Sequence, residues 1–193
     1  MIKREITKDE VNELKSGRFE GKIIVIEEAQ AAREICDEIL REETLLGFDT
    51  ETRPTFKKGE KKHDPALIQL ASKDTVYLFR IYKIGLIQPL IDVLKEEKII
   101  KAGLAISRDL EELQGLSYFD PGGFVDLNTV ATEKGFKSIG VRRLTAMLLG
   151  FRVSKRQQTS NWEAEQLTKA QARYAATDAW VCREIYLKLI NNF

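Results

Sequence analysis

The sequence predicts an α/β fold, in which helices cover a mixed β-sheet, and two observations support this prediction. Short apolar runs rich in β-branched residues are concentrated early in the 193-residue chain, whereas helical spacing of apolar residues dominates its later part. Some of the runs are joined by a short turn and others are separated by a helix. A sheet that combines hairpins with helical crossovers contains both antiparallel and parallel strands.

The individual elements follow from periodicity and from the residues that begin or end each segment. Thr7 followed by Glu10 is typical of a capping box and predicts a helix over 7–16. Ser72-Lys73-Asp74 predicts a hairpin turn, and Ser107 is expected to cap a helix. Strands are predicted at 23–26, 45–52, 66–71, 75–81, 99–103 and 124–127. Helices are predicted at 27–41, 87–95, 108–116, 128–134, 141–149 and 168–191.

Length and composition indicate one domain over residues 1–193, with residues 1–20 as a short N-terminal helical extension. No apolar run approaches the ~20 residues of a membrane span, and no signal peptide is evident. Cys36 and Cys182 are expected to be buried in helices, as in proteins of a reducing compartment. A cytoplasmic location without membrane contact is therefore predicted.

Positive charge is unevenly distributed along the chain. Residues 134–162 contain seven cations and no acid, which leaves 24 cations against 30 acids elsewhere. A basic stretch in an otherwise acidic protein is typical of a phosphate-contacting surface, and an exposed basic helix without a ligand is the alternative. Four further lysines lie in residues 57–62, where contact with a nucleic-acid backbone and a solvated loop are both compatible with the sequence.

Carboxylates provide the most informative local pattern. Asp49 and Glu51 lie two apart on a predicted strand, so their side chains project from the same face. Adjacent carboxylates repel unless a cation lies between them, and oxygen ligands suit Mg²⁺ or Mn²⁺. Taken alone, the pair is a weak signal, and exposed polar positions at the end of a strand are the alternative.

Two other acidic positions have the same two interpretations. Tyr174 and Asp178 share one face of the last helix, and the alanines around them would let that helix approach a sheet closely. They could also be a half-buried tyrosine and a solvent-facing acid. Asp109 lies in the first turn of a predicted helix, where the helix dipole alone favours an acid.

The combined order of these motifs resembles the DEDDy exonuclease superfamily, which includes ribonuclease D and the proofreading domains of polymerases. The similarity is greatest to the Werner-like branch and its stand-alone relatives. It covers residues from about 20 to the C-terminus and rests on 48–51, 66–70, 101–109, 148–150, 160–162 and 174–179. Proofreading domains usually have Asn where this chain has Ala105, which leaves the predicted catalytic set unchanged.

This resemblance implies a ribonuclease H-like fold with a central mixed sheet of five to six strands flanked by helices. It also implies a 3′-5′ exonuclease that hydrolyses DNA or RNA with two divalent cations, Mg²⁺ or Mn²⁺, and releases nucleoside 5′-monophosphates. The cations would be held by Asp49, Glu51, Asp109 and Asp178, with Asp49 bridging both and Asp109 acting through water. Tyr174 would orient the attacking water.

Nucleic acid is the expected partner, and no obligatory protein partner is evident. The predicted nucleic-acid contacts are Thr50, Arg152, Lys155 and Arg156. The alternatives are an inert nucleic-acid-binding or interaction module on the same fold and an endonuclease of the ribonuclease H type. The complete set of acids argues against the module, and the Tyr174–Asp178 pair argues for an exonuclease.

Four further residues are expected to have structural roles. His63, the only histidine, lies in the lysine-rich segment and is not expected to be catalytic. Trp162 and Trp180 fit core packing better than base stacking. Asp126, at the end of a predicted strand, is expected to cap the next helix and not to bind metal.

Overall fold

The computed structural model describes residues 3–57 and 59–192, and one mixed sheet lies at its centre. The strands are β1 (Lys22–Ile26), β2 (Leu45–Thr52), β3 (Pro65–Ala71), β4 (Thr75–Phe79), β5 (Ile100–Gly103) and β6 (Phe124–Asp126). They are ordered β1-β4-β3-β2-β5-β6. The β2–β3 and β3–β4 pairs are antiparallel, and the other pairs are parallel. The predicted α/β class and mixed sheet are confirmed.

Eight α-helices surround this sheet in the described part of the chain. They are α1 (Lys8–Glu13), α2 (Ala29–Glu38), α3 (Ile81–Ile84), α4 (Gln88–Lys95), α5 (Ser107–Leu116), α6 (Leu127–Glu133), α7 (Val141–Leu149) and α8 (Lys169–Asn191). A 3₁₀ turn spans Leu40–Glu42. Capping boxes begin α1 and α8: the Thr7 and Thr168 hydroxyls accept from backbone N–H groups three residues on.

Several predicted boundaries are wrong. The strand expected to reach Ile81 ends at Phe79, and the chain turns there into the short helix α3. Helix α1 ends at Glu13 instead of residue 16. Ser107 is the first residue of α5 and does not cap it, because the cap position falls on Ile106 and no side chain accepts a hydrogen bond there.

The two faces of the sheet pack against different helices. On β3, Ile68 and Leu70 belong to the core shared with α2 and α4, whereas Leu67 and Ala71 pack against alanines of α8. Strand β2 alternates in the same way, and Phe48 belongs to the α2–α4 side. Asp49 and Glu51 therefore project from the face that α8 covers.

Helix α8 lies unusually close to β2. A Cβ atom added to Gly47 would lie 1.9 Å from the Ala179 carbonyl oxygen, so only glycine fits at this position. Ala175, Ala176 and Ala179 are buried on the same helix face. This close approach brings Asp178, the neighbour of Ala179, close to β2.

Both cysteines are buried and free, as predicted. Among the residues that the structure describes, no helix has the length and apolar character needed to cross a bilayer.

Candidate active site

Three of the predicted carboxylates meet at the contact between β2 and α8. Asp49, Glu51 and Asp178 each place a carboxylate oxygen within 4.8 Å of the other two. Glu51 is 9% exposed and Asp178 7% exposed, so water screens their repulsion weakly. Within the described residues, no lysine or arginine offsets these charges. The cluster has the composition of a site that binds a hard divalent cation.

Burial changes the acidity of this cluster. Loss of water around Asp49 raises its pKa well above the usual range, and the neighbouring charges of Asp178 and Asp109 raise it further. The pKa of Glu51 is raised for the same reasons, first burial and then the charges of nearby acids. Burial also raises the pKa of Asp178, against a lowering effect of its hydrogen bond with Tyr174. A bound cation would relieve this repulsion.

Tyr174 lies one helical turn before Asp178, and the interaction of its hydroxyl with that carboxylate lowers the pKa of Asp178. Its ring is half-buried against Trp162, with the two ring centroids 6.1 Å apart. Burial and the charges of Asp178 and Glu51 raise the pKa of Tyr174 above its ordinary value of 10.0. The side chain is therefore a phenol at neutral pH, suited to orienting a water molecule and unsuited to acting as a base.

Asp109 approaches the cluster from a different element. It lies in the first turn of α5 and accepts a hydrogen bond from the Thr50 hydroxyl on β2. Although Asp109 is not one of the three acids within 4.8 Å, its charge raises the pKa of Asp49 and Glu51. The structure thus places the fourth predicted acid at the margin of the cluster.

Asp126 holds the loop that leads to Asp109. One of its carboxylate oxygens accepts from the Asn128 N–H at 2.8 Å and begins α6, which confirms the predicted cap. The other accepts from the Ile106 N–H at 3.2 Å in the loop between β5 and α5. In the same loop Ala105 has φ 56°, the only positive φ of a non-glycine residue in the described ranges.

Gln69 is a buried polar residue beside the cluster that sequence reasoning did not single out. It pairs with Asp49 across β2 and β3, and directly opposed residues of antiparallel strands share a face. The side chain is fully buried, yet neither its amide nitrogen nor its oxygen has a hydrogen-bond partner in the described part of the chain. Its only signal in the sequence is a lone amide within an apolar strand.

Two basic grooves converge on Tyr174 and Asp178. The larger, of about 980 Å³, is lined by Arg152 and Arg156 and by further cations that the sequence analysis did not single out, Arg18, Lys169 and Arg173. The smaller, of about 360 Å³, is lined by Lys8, Arg142, Arg143 and Lys155. Among the described residues that line these grooves, Asp178 is the only acid.

The residues predicted to contact nucleic acid differ in the exposure and hydrogen bonding of their side chains. Lys155 and Arg156 are exposed, whereas Arg152 is half-buried and donates its Nε to the Leu14 carbonyl at 2.9 Å. The Thr50 hydroxyl is bonded to Asp109. Their contact with nucleic acid stays a prediction.

The residues that the sequence predicts to have structural roles lie outside the carboxylate cluster. Trp162 is fully buried in the core, as predicted, and Trp180 stacks on Phe151 with ring centroids 5.9 Å apart. His63 Nδ1 lies 2.8 Å from a Glu163 carboxylate oxygen.

A mixed sheet that carries buried acids and a tyrosine beside basic grooves has the arrangement expected of a nuclease. A family model described as 3′-5′ exonuclease matches residues 23–193, and the chain therefore belongs to the 3′-5′ exonuclease family. The predicted family is confirmed. The predicted enzyme class, a nuclease hydrolase, agrees with this family.

Similar proteins and structures agree with this family. The chain is 35% identical over 184 residues to the bifunctional 3′-5′ exonuclease/ATP-dependent helicase WRN of Mus musculus, covering 90% of this chain and 13% of that protein. It is 32% identical over 159 residues to ribonuclease D of Gluconacetobacter diazotrophicus, covering 80% of this chain and 39% of that protein.

Among solved structures, Escherichia coli RNase D superposes with a TM-score of 0.78 at 26% identity, covering 88% of this chain and 44% of that one. The chain therefore spans less than half the length of each of these three relatives.

Proposed function

We propose that this chain is a 3′-5′ exonuclease of the DEDDy type that hydrolyses phosphodiester bonds of DNA or RNA from the 3′ end and releases nucleoside 5′-monophosphates. The observation that supports it most strongly is the convergence of Asp49, Glu51 and Asp178 with the Tyr174 hydroxyl at one point. Membership of the 3′-5′ exonuclease family supports the same reaction.

The donor set fits divalent cations, and we infer two of them, Mg²⁺ or Mn²⁺. Asp49, Glu51 and Asp178 offer only carboxylate oxygens, which hard cations prefer, and their mutual repulsion favours a positive ion between them. Asp109 would hold the second ion through water, which agrees with its place at the margin of the cluster. When bound, the cations would stabilise the charge on the phosphate and make water a stronger nucleophile.

The chain's own groups would supply positioning. The Tyr174 hydroxyl, which interacts with Asp178, would hold the attacking water in line with the scissile bond. Glu51, which projects beside Asp49, would accept a hydrogen bond from the terminal 3′-hydroxyl. A contact with that hydroxyl would select chain ends and account for 3′ polarity.

The larger groove is the proposed path of the scissile strand. Its lining combines five cations with Tyr174 and Asp178, and phosphates are the natural counter-charge of these cations. Arg152, Arg156 and, from the smaller groove, Lys155 would contact this strand, and Thr50 would contact the nucleotide beside Asp109.

A time course on 5′-labelled DNA and RNA oligonucleotides, each with Mg²⁺ and with Mn²⁺, tests the proposal. We expect a ladder that shortens one nucleotide at a time from the 3′ end. Tyr174→Phe should lower turnover by about 100-fold while substrate binding survives, because only orientation of the water is lost. Tyr118→Phe is the matched control, because Tyr118 is 77% exposed and bonds only to Asp120.

Two outcomes would contradict the proposal. Intact 3′ ends with every combination of substrate and metal would favour an inert binding module. Equal turnover in Tyr174→Phe and Tyr118→Phe would remove Tyr174 from the mechanism.

A further inference from the structure

The segment between β2 and β3, residues 53–64, is here called the lysine loop. It contains five cationic and two acidic residues. Lys57, Lys61 and Lys62 are exposed, and Phe56 is 79% exposed. A phenylalanine this exposed leaves a whole ring face free for a partner.

A single carboxylate holds both ends of the lysine loop. Arg53 donates to one oxygen of Glu163 at 3.0 Å, and His63 Nδ1 lies 2.8 Å from the other. The Glu163 side chain is only 12% exposed, whereas its partner Arg53 is 43% exposed. The loop therefore has fixed ends, while Phe56, Lys57, Lys61 and Lys62 extend into solvent between them.

The same carboxylate belongs to a segment that contacts the candidate active site. Glu163 follows Trp162, whose ring packs against Tyr174. The fully buried Arg80 donates to the carbonyl oxygens of Trp162, Ala164 and Glu165, which fixes this segment to the end of β4. The position of the lysine loop is thus tied to the position of Tyr174.

The lysine loop also lies near the carboxylates along the chain. Arg53 is two residues beyond Glu51 and Phe56 is five residues beyond it. Five residues of fully extended chain span at most ~18 Å, so Phe56 cannot be farther than that from Glu51. A nucleotide bound beside Glu51 would therefore lie near enough for its neighbours along the strand to contact this ring.

We propose that the lysine loop is a second nucleic-acid-binding element of this site, in which Phe56 stacks on a base of a single-stranded segment and the lysines contact its phosphates. Glu163 is a positioning residue that holds the loop in place. The proposal rests on the exonuclease function proposed above. An exposed aromatic among cations is the combination by which proteins bind single strands, since cations follow the backbone and the ring accepts any base.

Limited proteolysis of the whole chain in EDTA tests binding without requiring hydrolysis. Trypsin cleaves after exposed lysines, so it should cut the lysine loop in the free protein. A saturating single-stranded DNA or RNA 20-mer should slow this cleavage by at least about tenfold, while cutting after the exposed Lys95 is unchanged. Equal rates of loop cleavage with and without either 20-mer would overturn the proposal. So would protection by polyglutamate but by neither oligonucleotide, because the loop would then favour an acidic protein partner.

Kinetics of single-residue variants test the role of Phe56. Loss of one stacked base should raise KM for the 20-mer about 5- to 50-fold in Phe56→Ala, with kcat within about twofold, and Phe56→Trp should restore KM. An unchanged KM in Phe56→Ala, with the wild-type protein active, would overturn the stacking role. A wild-type protein inactive on both nucleic acids would instead overturn the proposed function, and the proteolysis result would still report on binding.

The positioning role of Glu163 is tested by Glu163→Gln, with Glu165→Gln as the matched control. Glu165 is an exposed neighbour whose carboxylate contacts only Lys83. We expect Glu163→Gln to speed tryptic cleavage of the free lysine loop and to raise KM, because the ion pair with Arg53 is lost. The control should match the wild type in both measurements. Equal behaviour of the two variants would show that Glu163 does not position the loop.

The phosphate contacts of the lysines are tested by the triple variant Lys57→Ala, Lys61→Ala and Lys62→Ala. If each lysine contacts one phosphate, the slope of log affinity against log salt should become shallower by about 2 for a single strand. An unchanged slope would remove the lysines from the interface.

Discussion

At the scale of single residues, the candidate site is built from two pairs of side chains, one on β2 and one on α8. Asp49 and Glu51 lie two apart on a strand, and strand geometry alone places them on one face. Tyr174 and Asp178 lie four apart on a helix, which places them on one side of it. Each pair follows from local periodicity. The meeting of the two pairs does not, since it depends on where α8 crosses the sheet.

Other features of single residues cannot be predicted from the sequence. Glu163 bonds to Arg53 and His63, which are about a hundred residues earlier, and nothing local indicates these partners. Gln69 could be read as a polar interruption of an apolar strand, but its unpartnered amide is visible only in the fold. Thr50 was predicted to contact nucleic acid, and its bond to Asp109 depends on the start of α5.

The backbone at Ala105 gives a prediction about stability. Its φ of 56° is a left-handed conformation that costs an alanine about 1 kcal/mol or more, whereas glycine adopts it freely. Ala105→Gly should therefore raise the free energy of unfolding by roughly 0.5–1 kcal/mol, measured by urea denaturation. Ala29→Gly, in the first turn of α2, should lower it, because a helical glycine loses more backbone entropy. Destabilisation of similar size in both variants would contradict this interpretation.

At the scale of elements, the predicted bounds agree best where a segment begins or ends at a clear signal. Strand β2 and helix α7 have the predicted bounds, because each has strong periodicity or a clear stop such as Gly150. Helix α3 was missed, since four residues carry too little periodicity to separate them from the preceding strand. The hydroxyl of Ser107 suits the N-cap of α5, but the cap position falls one residue earlier, on Ile106.

The contact between β2 and α8 gives a prediction about Gly47. An added methyl group would meet the Ala179 carbonyl oxygen at 1.9 Å and force the helix away from the strand. Gly47→Ala should lower the free energy of unfolding by on the order of 3 kcal/mol and reduce exonuclease turnover by displacing Asp178. Gly115→Ala is the control, because a Cβ atom there meets nothing within 4 Å on helix α5. That variant should be neutral or slightly more stable. Similar losses in the two variants would contradict the close approach of α8.

Strand β5 and helix α4 give a prediction about pH. Lys101 is fully buried and donates to the carbonyl oxygens of Val93 and Glu96 at the end of α4. Burial lowers the pKa of Lys101 from its ordinary 10.5 to about 8. Between these values the unfolded chain binds more protons than the folded one, so stability should rise with pH.

The increase attributable to Lys101 should be roughly 3 kcal/mol between about pH 8 and pH 10.5. It would be measured as the difference between urea denaturation curves of the wild type and Lys101→Met, because other groups also titrate in this range. A difference that does not change with pH would contradict the lowered pKa.

At the scale of the whole molecule, the sheet order explains how distant segments form one site. Strand β2 lies between β3 and β5, so the loops after β2 and β5 open at the same end of the sheet, and α8 packs against the face from which Asp49 and Glu51 project. The basic stretch at 134–162 predicted only part of the groove lining. Arg18 and Arg173 join it through tertiary packing, which charge counting along the chain cannot show.

The central claim is that these segments assemble a site for divalent cations, and calorimetric titration of the apo protein with Mn²⁺ tests it most directly. We predict that the wild-type protein binds two ions and that Asp178→Asn weakens binding by at least about tenfold. Asp120→Asn, at an exposed acid outside the cluster, should bind as the wild type does. Absence of Mn²⁺ binding to the wild type, or equal affinity in the two variants, would contradict the account.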